Sequence, residues 1–163
     1  MKLRTTTSPP LRVSWGTASS PAGKLVIGLT EKGEICRVGF LRGRKAVEMI
    51  AEWQSEWRQT SFKRGAVPQH FSRTPLLLVG TEFQQDVWRV MAKIPSGSVT
   101  TYGNIALYIG KPNAARAVGA ACGANPVPYF VPCHRVVAAN GGLGGFSGGV
   151  GIKEMLLKAE GYL

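Results

Sequence analysis

The residues best suited to chemistry in this sequence are an adjacent cysteine and histidine, Cys133 and His134. Three prolines precede them within a span of seven residues, Pro126, Pro128 and Pro132, and prolines hold a chain extended and stiff. His134 and Arg135 form a polar pair within an otherwise apolar segment, so their polar groups must find partners inside the protein. A lone cysteine is usually an inert core residue. The polar setting instead favours a purposeful site with Cys133 as a nucleophile.

A metal centre is the main alternative use of these residue types. The chain has three cysteines and two histidines, widely spaced and without a CxxC pair. An odd number of separated cysteines argues against a disulfide framework and indicates a reducing compartment, the cytoplasm. A zinc site would need nearly all of these side chains to converge. The possible zinc ligands are Cys36, Cys122, Cys133, His70 and His134. We therefore expect no metal.

Composition limits the class of protein and of partner. A chain of 163 residues, 44% hydrophobic and 18% charged, can bury a core and is not a disordered tail. No segment approaches the roughly 20 apolar residues of a membrane helix, and the polar N-terminus lacks an export signal, so we expect a soluble protein. Twenty Lys and Arg against nine Asp and Glu give a net charge of +11, which favours nucleic acid as the partner before a membrane.

The first half of the chain has the alternating pattern of strands. We predict an antiparallel meander of three strands separated by turns, followed by an amphipathic helix and a linker that holds one short strand. The predicted strands are Leu11–Trp15, Gly23–Leu29 and Glu34–Phe40, the helix is Arg44–Arg58, and the short strand is Leu76–Leu78.

The pattern changes at Gly80, which places a domain boundary between residues 1–79 and 80–163. Thr81 can cap a helix of helically spaced apolar residues that ends at Pro95. Two short helices follow, joined by a turn that contains glycine, and this pattern is a candidate helix-turn-helix. The two helices are predicted over Tyr102–Ile109 and Ala114–Cys122.

The second of these helices is unusual for a reader of the major groove. Arg116 is its only long polar side chain, so it lacks the set of side chains that base edges require. Its alanines and glycine would let the backbone approach a narrow minor groove closely. The same composition also suits a helix that is simply buried. Composition alone leaves both interpretations open.

Ordered motifs over residues 80–161 resemble the O6-alkylguanine-DNA alkyltransferases, also called methylated-DNA–protein-cysteine methyltransferases. The matching segments are Phe83-Gln84 to Val87-Trp88, Ile94 to Gly97, Thr101 to Gly103, Ala114 to Gly119, Asn125 to Pro128, Pro132 to Val136, and Lys153 to Gly161. The first 75 residues match more loosely, chiefly through Ser20 to Gly23. The implied fold is α+β: a ribonuclease-H-like N-terminal lobe, an antiparallel sheet with a helix, and a mostly helical C-terminal domain containing a helix-turn-helix.

The reaction that the resemblance implies is direct-reversal DNA repair. The alkyl group of O6-alkylguanine, with O4-alkylthymine as a further candidate substrate, would pass irreversibly to the Cys133 thiolate, once per protein molecule. Free cysteine, with a pKa of about 8.5, is mostly protonated at neutral pH, so the thiol needs activation. The family's histidine–glutamate couple, acting through a bound water, corresponds to His134 and Glu160. No cofactor is required, the partner is double-stranded DNA containing the lesion, and the protein is expected to be a monomer.

The resemblance also assigns a base pocket. In it, the hydroxyl of Tyr102 would meet N3 of the purine, and the carbonyls of Cys133 and Val136 would accept from the exocyclic amine. The backbone N–H of Ser147 would donate to O6. Phe146 stands where the family often has tyrosine, so stacking is kept and a hydroxyl is lost. The pocket residues are Tyr102, Pro128, Val136, Phe146 and Ser147.

Contacts with DNA follow from the same correspondence. A base in a duplex cannot reach a buried thiol, so the nucleotide must be flipped out. Arg116 corresponds to an arginine finger that fills the vacated space, while Tyr102 helps to turn the neighbouring phosphate. Asn125 corresponds to a hinge between the recognition helix and the active-site strand, and Arg135 is expected to be a structural clamp. The small residues expected against the DNA are Ala115, Ala117 and Gly119.

Three other functions compete with this interpretation. A damage-sensing alkyltransferase-like protein would flip the base without chemistry, but such relatives lack the cysteine that is present here as Cys133. A Cys–His hydrolase would need an oxyanion hole, and no candidate for one is evident. A sequence-specific regulator is disfavoured by the alanine-rich second helix.

Overall fold

A computed structural model of the chain describes residues 2–144 and 149–163, and these residues form two compact units. The first unit ends at Gly80 and the second runs from Thr81 to Leu163. The first contains a sheet and one helix, and the second is mostly helical, which confirms the α+β class. No helix within the described residues is long and apolar enough to cross a bilayer.

The elements of the first unit are β1 Leu3–Thr6, β2 Arg12–Ser20, β3 Gly23–Leu29, β4 Ile35–Phe40, α1 Ala46–Glu56, β5 Ser61–Arg64 and β6 Leu76–Val79. The strands form one six-stranded sheet in the order β1-β6-β4-β3-β2-β5. The predicted meander is present, because β2, β3 and β4 pair antiparallel. The expectation of a purely antiparallel sheet is wrong, since the pairs β1–β6, β4–β6 and β2–β5 are parallel.

Helix α1 packs closely on the backbone of the central strands. Its Met49 and Trp53 are buried in one apolar cluster with Trp15 and Val26. The close approach depends on Gly39 in β4, because a Cβ at this position would lie 2.2 Å from the Met49 sulfur. The absence of a side chain at Gly39 therefore lets the helix sit directly on the sheet.

Two helices of the second unit begin at capping residues that the sequence marks. Thr81 and Gln84 form a reciprocal capping box at the start of α2, and the Thr101 hydroxyl caps α3. The Trp88 indole donates a 2.8 Å hydrogen bond to the carbonyl of Ala121, which ties α2 to α4. The bounds are α2 Glu82–Met91, β7 Thr100–Thr101, α3 Tyr102–Tyr108, α4 Ala115–Gly123, a 3-10 turn Cys133–Arg135, β8 Val136–Val137 and α5 Val150–Ala159.

Candidate active site

Cys133 lies in a tight turn and not in the apolar strand that the sequence suggests. Residues Cys133–Arg135 form one turn of 3-10 helix that leads directly into β8. The backbone N–H of Arg135 donates to the carbonyl of Pro132 at 2.9 Å, and this bond closes the turn. Side chains in such a turn do not alternate between two faces as they do in a strand. The adjacent side chains of Cys133 and His134 are therefore not placed on opposite faces, as neighbouring residues of a strand would be.

Asn125 connects the end of α4 to the segment before the cysteine. Its side-chain amide donates to the carbonyl of Val131 at 2.8 Å, and its side-chain oxygen accepts from the N–H of Val127 at 3.0 Å. One buried amide thus links the end of α4 to the loop that carries the thiol.

The Cys133 thiol is buried, with 4% of the residue exposed. Burial raises the pKa of Cys133 to about 11, although the hydrogen bond from Asn125 and the positive charge of Lys153 act in the opposite direction. The thiol is consequently protonated at neutral pH. It needs a neighbouring base before it can act as a nucleophile.

His134 is fully buried and lies within hydrogen-bond distance of Glu160. Its Nε2 is 2.7 Å from Oε1 of Glu160, whereas its Nδ1 is buried and has no hydrogen-bond partner among the described residues. Burial lowers the pKa of His134, and the hydrogen bond with Glu160 offsets this only in part. The imidazole is therefore neutral at neutral pH. Its Nδ1 lone pair is available to accept a proton.

Arg135 contacts the same carboxylate as His134. Its Nε lies 3.1 and 3.0 Å from the two oxygens of Glu160, and its Nη2 lies 2.6 Å from Oε1. Its Nη1 donates to the carbonyl of Ile94 at 2.6 Å. The guanidinium thus joins the end of α5 to the segment after α2, as a clamp would.

Tyr102 begins α3 and lies against two glycines. A Cβ on Gly144, which has a φ of +74°, would lie 2.8 Å from the Tyr102 hydroxyl, and one on Gly119 would lie 3.9 Å from its ring. Of the other predicted pocket residues, Pro128 and Val136 are buried, and the Val136 carbonyl already accepts from the Lys153 ammonium at 2.6 Å. Phe146 and Ser147 lie outside the described residues.

Helix α4 has one buried face, and the rest of its surface is at least partly exposed. Val118, Ala121 and Cys122 are buried. Arg116 and Ala117 are exposed, and Ala115 and Gly119 are partly exposed. None of these four residues is buried, but three of them are consecutive and so point in different directions around the helix.

Comparison with known proteins gives the family. Residues 82–162 match the model for the DNA-binding domain of 6-O-methylguanine DNA methyltransferases. The methylated-DNA–protein-cysteine methyltransferase of Methanosarcina acetivorans is 41% identical over 148 residues, which are 87% of this chain and 94% of that protein. The chain belongs to this family. The corresponding Methanosarcina mazei protein is 54% identical over 147 residues, 86% of this chain and 92% of its own length.

Solved methyltransferase structures share the fold. Mycobacterium tuberculosis OGT in complex with DNA superposes with a TM-score of 0.72 and 32% identity, covering 91% of this chain and 92% of that one. The O6-methylguanine-DNA methyltransferase of Pyrococcus kodakaraensis superposes with a TM-score of 0.65 and 29% identity, covering 91% of this chain and 99% of that one. The likeness therefore extends over both units of the methyltransferase chain.

Lys153 is a site residue of this methyltransferase that the sequence pattern alone did not single out. It was named only as the first residue of the matching segment Lys153 to Gly161. It is fully buried on α5, and its charge acts on the Cys133 thiol. A signal was present in the sequence, because Lys153 lies three and four residues before Leu156 and Leu157, on the buried face of the helix. A lysine on that face needs a specific reason to be there.

Proposed function

We propose that this methyltransferase uses Cys133 to remove the alkyl group from O6-alkylguanine in duplex DNA. As a member of its family, the chain repairs DNA by direct reversal, with transfer of the alkyl group to a cysteine. The observation that carries the choice of Cys133 is its position beside a buried histidine whose Nδ1 has no hydrogen-bond partner among the described residues. That nitrogen is the base that the protonated thiol requires.

The transfer is a single displacement. Nδ1 of His134 accepts the Cys133 proton through a bridging water, and the sulfur attacks the alkyl carbon. A C–S bond forms while the C–O6 bond breaks, and the electron pair of that bond goes to the purine. The guanine then takes up the proton that the thiol lost. The thioether has no easy leaving path, so each molecule reacts once.

Access to the thiol requires base flipping. A thiol that is 4% exposed cannot meet a base that is stacked inside a duplex. The α3–α4 pair would act as a minor-groove helix-turn-helix, with the small residues of α4 allowing close approach and Arg116 entering the vacated stack. In this arrangement the second unit, from about residue 80, holds the DNA-binding and transfer functions. The first unit would be the ribonuclease-H-like lobe.

The base would be held by groups around the turn that carries Cys133. Tyr102 would contact N3, and the carbonyl of Val136 has a second lone pair for the exocyclic amine beside its bond to Lys153. Phe146 and Ser147 keep their predicted pocket roles as proposals.

Mass spectrometry of the reacted protein tests the proposal. After incubation with duplex DNA containing O6-methylguanine, we expect one methyl group on the peptide that contains Cys133, and none on Cys36 or Cys122. Burial raises the pKa of each of the latter thiols to about 12, and no base of the His134 kind is proposed for them. Methylation at another residue, or turnover beyond one equivalent, would contradict the mechanism.

Replacement of Arg116 by alanine should slow repair of methylated duplex about tenfold or more and leave reaction with free O6-alkylguanine base within about twofold, because the finger acts only when a base is held out of the stack. Single-turnover rates on both substrates give the comparison. Lys93→Ala removes an exposed cation from the same unit and is the control. An equal loss on both substrates would contradict the finger role.

Replacement of Lys153 by methionine should reduce the single-turnover rate about tenfold, because the lysine charge favours the Cys133 thiolate. The melting temperature should change little, since exchanging a buried charge for an apolar side chain of similar length is often neutral. Lys158→Met, on the exposed side of the same helix, is the matched control. An unchanged rate would show that Lys153 has only a packing role.

A further inference from the structure

Glu160 receives hydrogen bonds from two consecutive residues, and this arrangement determines where protons can reside. Its Oε1 lies 2.7 Å from Nε2 of His134 and 2.6 Å from Nη2 of Arg135, and its Oε2 lies 3.0 Å from Nε of Arg135. A guanidinium has donors only, and it does not lose its proton in proteins. Every contact that Arg135 makes with Glu160 therefore requires an acceptor on the carboxylate.

A carboxylate in this position can accept from His134 but cannot donate to it. Burial alone would raise the pKa of Glu160, but hydrogen bonds from Arg135 and His134 outweigh burial and hold the pKa below its ordinary value. The hydrogen between Glu160 and His134 consequently belongs to Nε2. If Glu160 were protonated, it could donate to Nε2, and the imidazole proton would move to Nδ1.

The two tautomers of His134 differ in what they can do for the thiol. With hydrogen on Nε2, Nδ1 presents a lone pair and can take up a proton. With hydrogen on Nδ1, the same atom is a donor and cannot act as the base. Nδ1 has no hydrogen-bond partner among the described residues, so the contact of the described protein that selects the tautomer is the one between Nε2 and Glu160.

We propose that Arg135 is a positioning residue that fixes the tautomer of His134: by occupying both oxygens of Glu160 with donors, it keeps the imidazole proton on Nε2 and leaves Nδ1 to accept the proton of Cys133. This role goes beyond a mechanical clamp and rests on the proposed function of the site. Arg135 itself touches neither the thiol nor the alkyl group in this scheme.

Other charged groups around the histidine act in a consistent direction. Lys153, on α5, is a second cation whose charge opposes protonation of His134, as does the charge of Arg135. Cys133 is neutral until its proton leaves. Glu160, at the end of α5, is the carboxylate that His134 and Arg135 share. Loss of Arg135 removes a cation beside the pair, so protonation of both His134 and Glu160 becomes easier.

The pH dependence of the reaction separates this role from a purely structural one. In Arg135→Met, we expect the acid limb of the single-turnover rate profile to move up by about one pH unit, since removing a nearby charge shifts a pKa by about one to three units. Within the acid limb the rate at a fixed pH should then fall about tenfold, with a smaller loss on the plateau above the limb. Arg135→Lys retains the cation and should leave the acid limb close to its wild-type position.

Two controls make the outcome specific. Lys93→Met removes an exposed cation from the same unit and should leave the profile unchanged. In a Glu160→Gln background no carboxylate remains to be held ionised, so adding Arg135→Met should change the rate by less than about twofold. If Arg135→Met does not fold, Arg135→Gln, which is neutral but can still donate, replaces it.

Nitrogen NMR of the histidine side chains gives a readout that is independent of activity. The chain has two histidines, and His70→Gln assigns the signals. We expect His134 to carry hydrogen on Nε2 in the wild type and a mixture of tautomers in Arg135→Met. An acid limb within about 0.3 pH of wild type, together with an unchanged tautomer, would overturn the proposal. If the wild type itself transfers no methyl group, the proposed function fails. The NMR comparison still tests whether Arg135 fixes the tautomer of His134.

Discussion

Replacement of Cys133 by serine will abolish alkyl transfer and leave affinity for duplex DNA within about twofold of wild type. A serine hydroxyl has nearly the same shape as the thiol but is a far weaker nucleophile, and His134 alone cannot make it competent for this displacement. The exposed residues proposed to contact DNA, Arg116 and Ala117, lie on α4 and not on the turn that holds Cys133. Methyl transfer from labelled duplex and a binding titration at fixed salt measure the two properties.

Cys122→Ser is the matched control for this experiment. Cys122 is also a buried thiol of the second unit, and its sulfur lies 3.4 Å from the sulfur of Met91. This variant should still transfer one equivalent. Transfer by Cys133→Ser at the wild-type rate would place the nucleophile elsewhere. Loss of DNA affinity in a folded Cys133→Ser protein would contradict the separation of binding from chemistry.

Replacement of His134 by phenylalanine should reduce the transfer rate about 10²- to 10⁴-fold, the usual contribution of a positioned base. Phenylalanine keeps the ring and removes both nitrogens. The Glu160 carboxylate retains Arg135 as its partner, so no buried charge is left unpaired and the protein should remain folded. Single-turnover rates and a melting curve give the two measurements.

The pH profile of His134→Phe has an expected sign. In the wild type, activity is present above the His134 pKa, which burial lowers, and is lost as pH falls through it. Without the base, the remaining rate should rise about tenfold per pH unit toward the Cys133 pKa of about 11, because only the spontaneously formed thiolate reacts. A wild-type profile in the variant would mean that another group accepts the proton.

Local sequence signals were enough to predict the elements that carry their own pattern. Thr81 marks the start of α2, and its capping box is present as expected. Strands β2 and β4 largely alternate between buried and more exposed residues, whereas β3 is an apolar run with four consecutive buried residues. By contrast, β1 and β5 are short, largely polar segments at the sheet edges. These two strands form because they pair with a neighbouring strand, so their own residues carry little signal that predicts a strand.

Long-range partners explain the rest of what the sequence left unpredicted. The residue pattern around Cys133 does not indicate a 3-10 turn, which the bond from the N–H of Arg135 to the carbonyl of Pro132 closes. Glu160 alone would be taken for a solvated residue near the C-terminus, and only the family resemblance brought it to His134. The lysine in the buried stripe of α5 becomes meaningful once Val136 is seen to accept from it.

The burial of all three thiols has a consequence for how long an unused molecule survives. Cys36, Cys122 and Cys133 are all buried, and burial raises the pKa of every one of them. Oxidants and electrophilic metabolites react with exposed thiolates, so a resting molecule presents little reactive sulfur to them. A protein that acts once and is not regenerated is thereby kept intact through a long wait. In the proposed mechanism, its reactivity appears only when a flipped base meets the sulfur and His134 takes up the thiol proton.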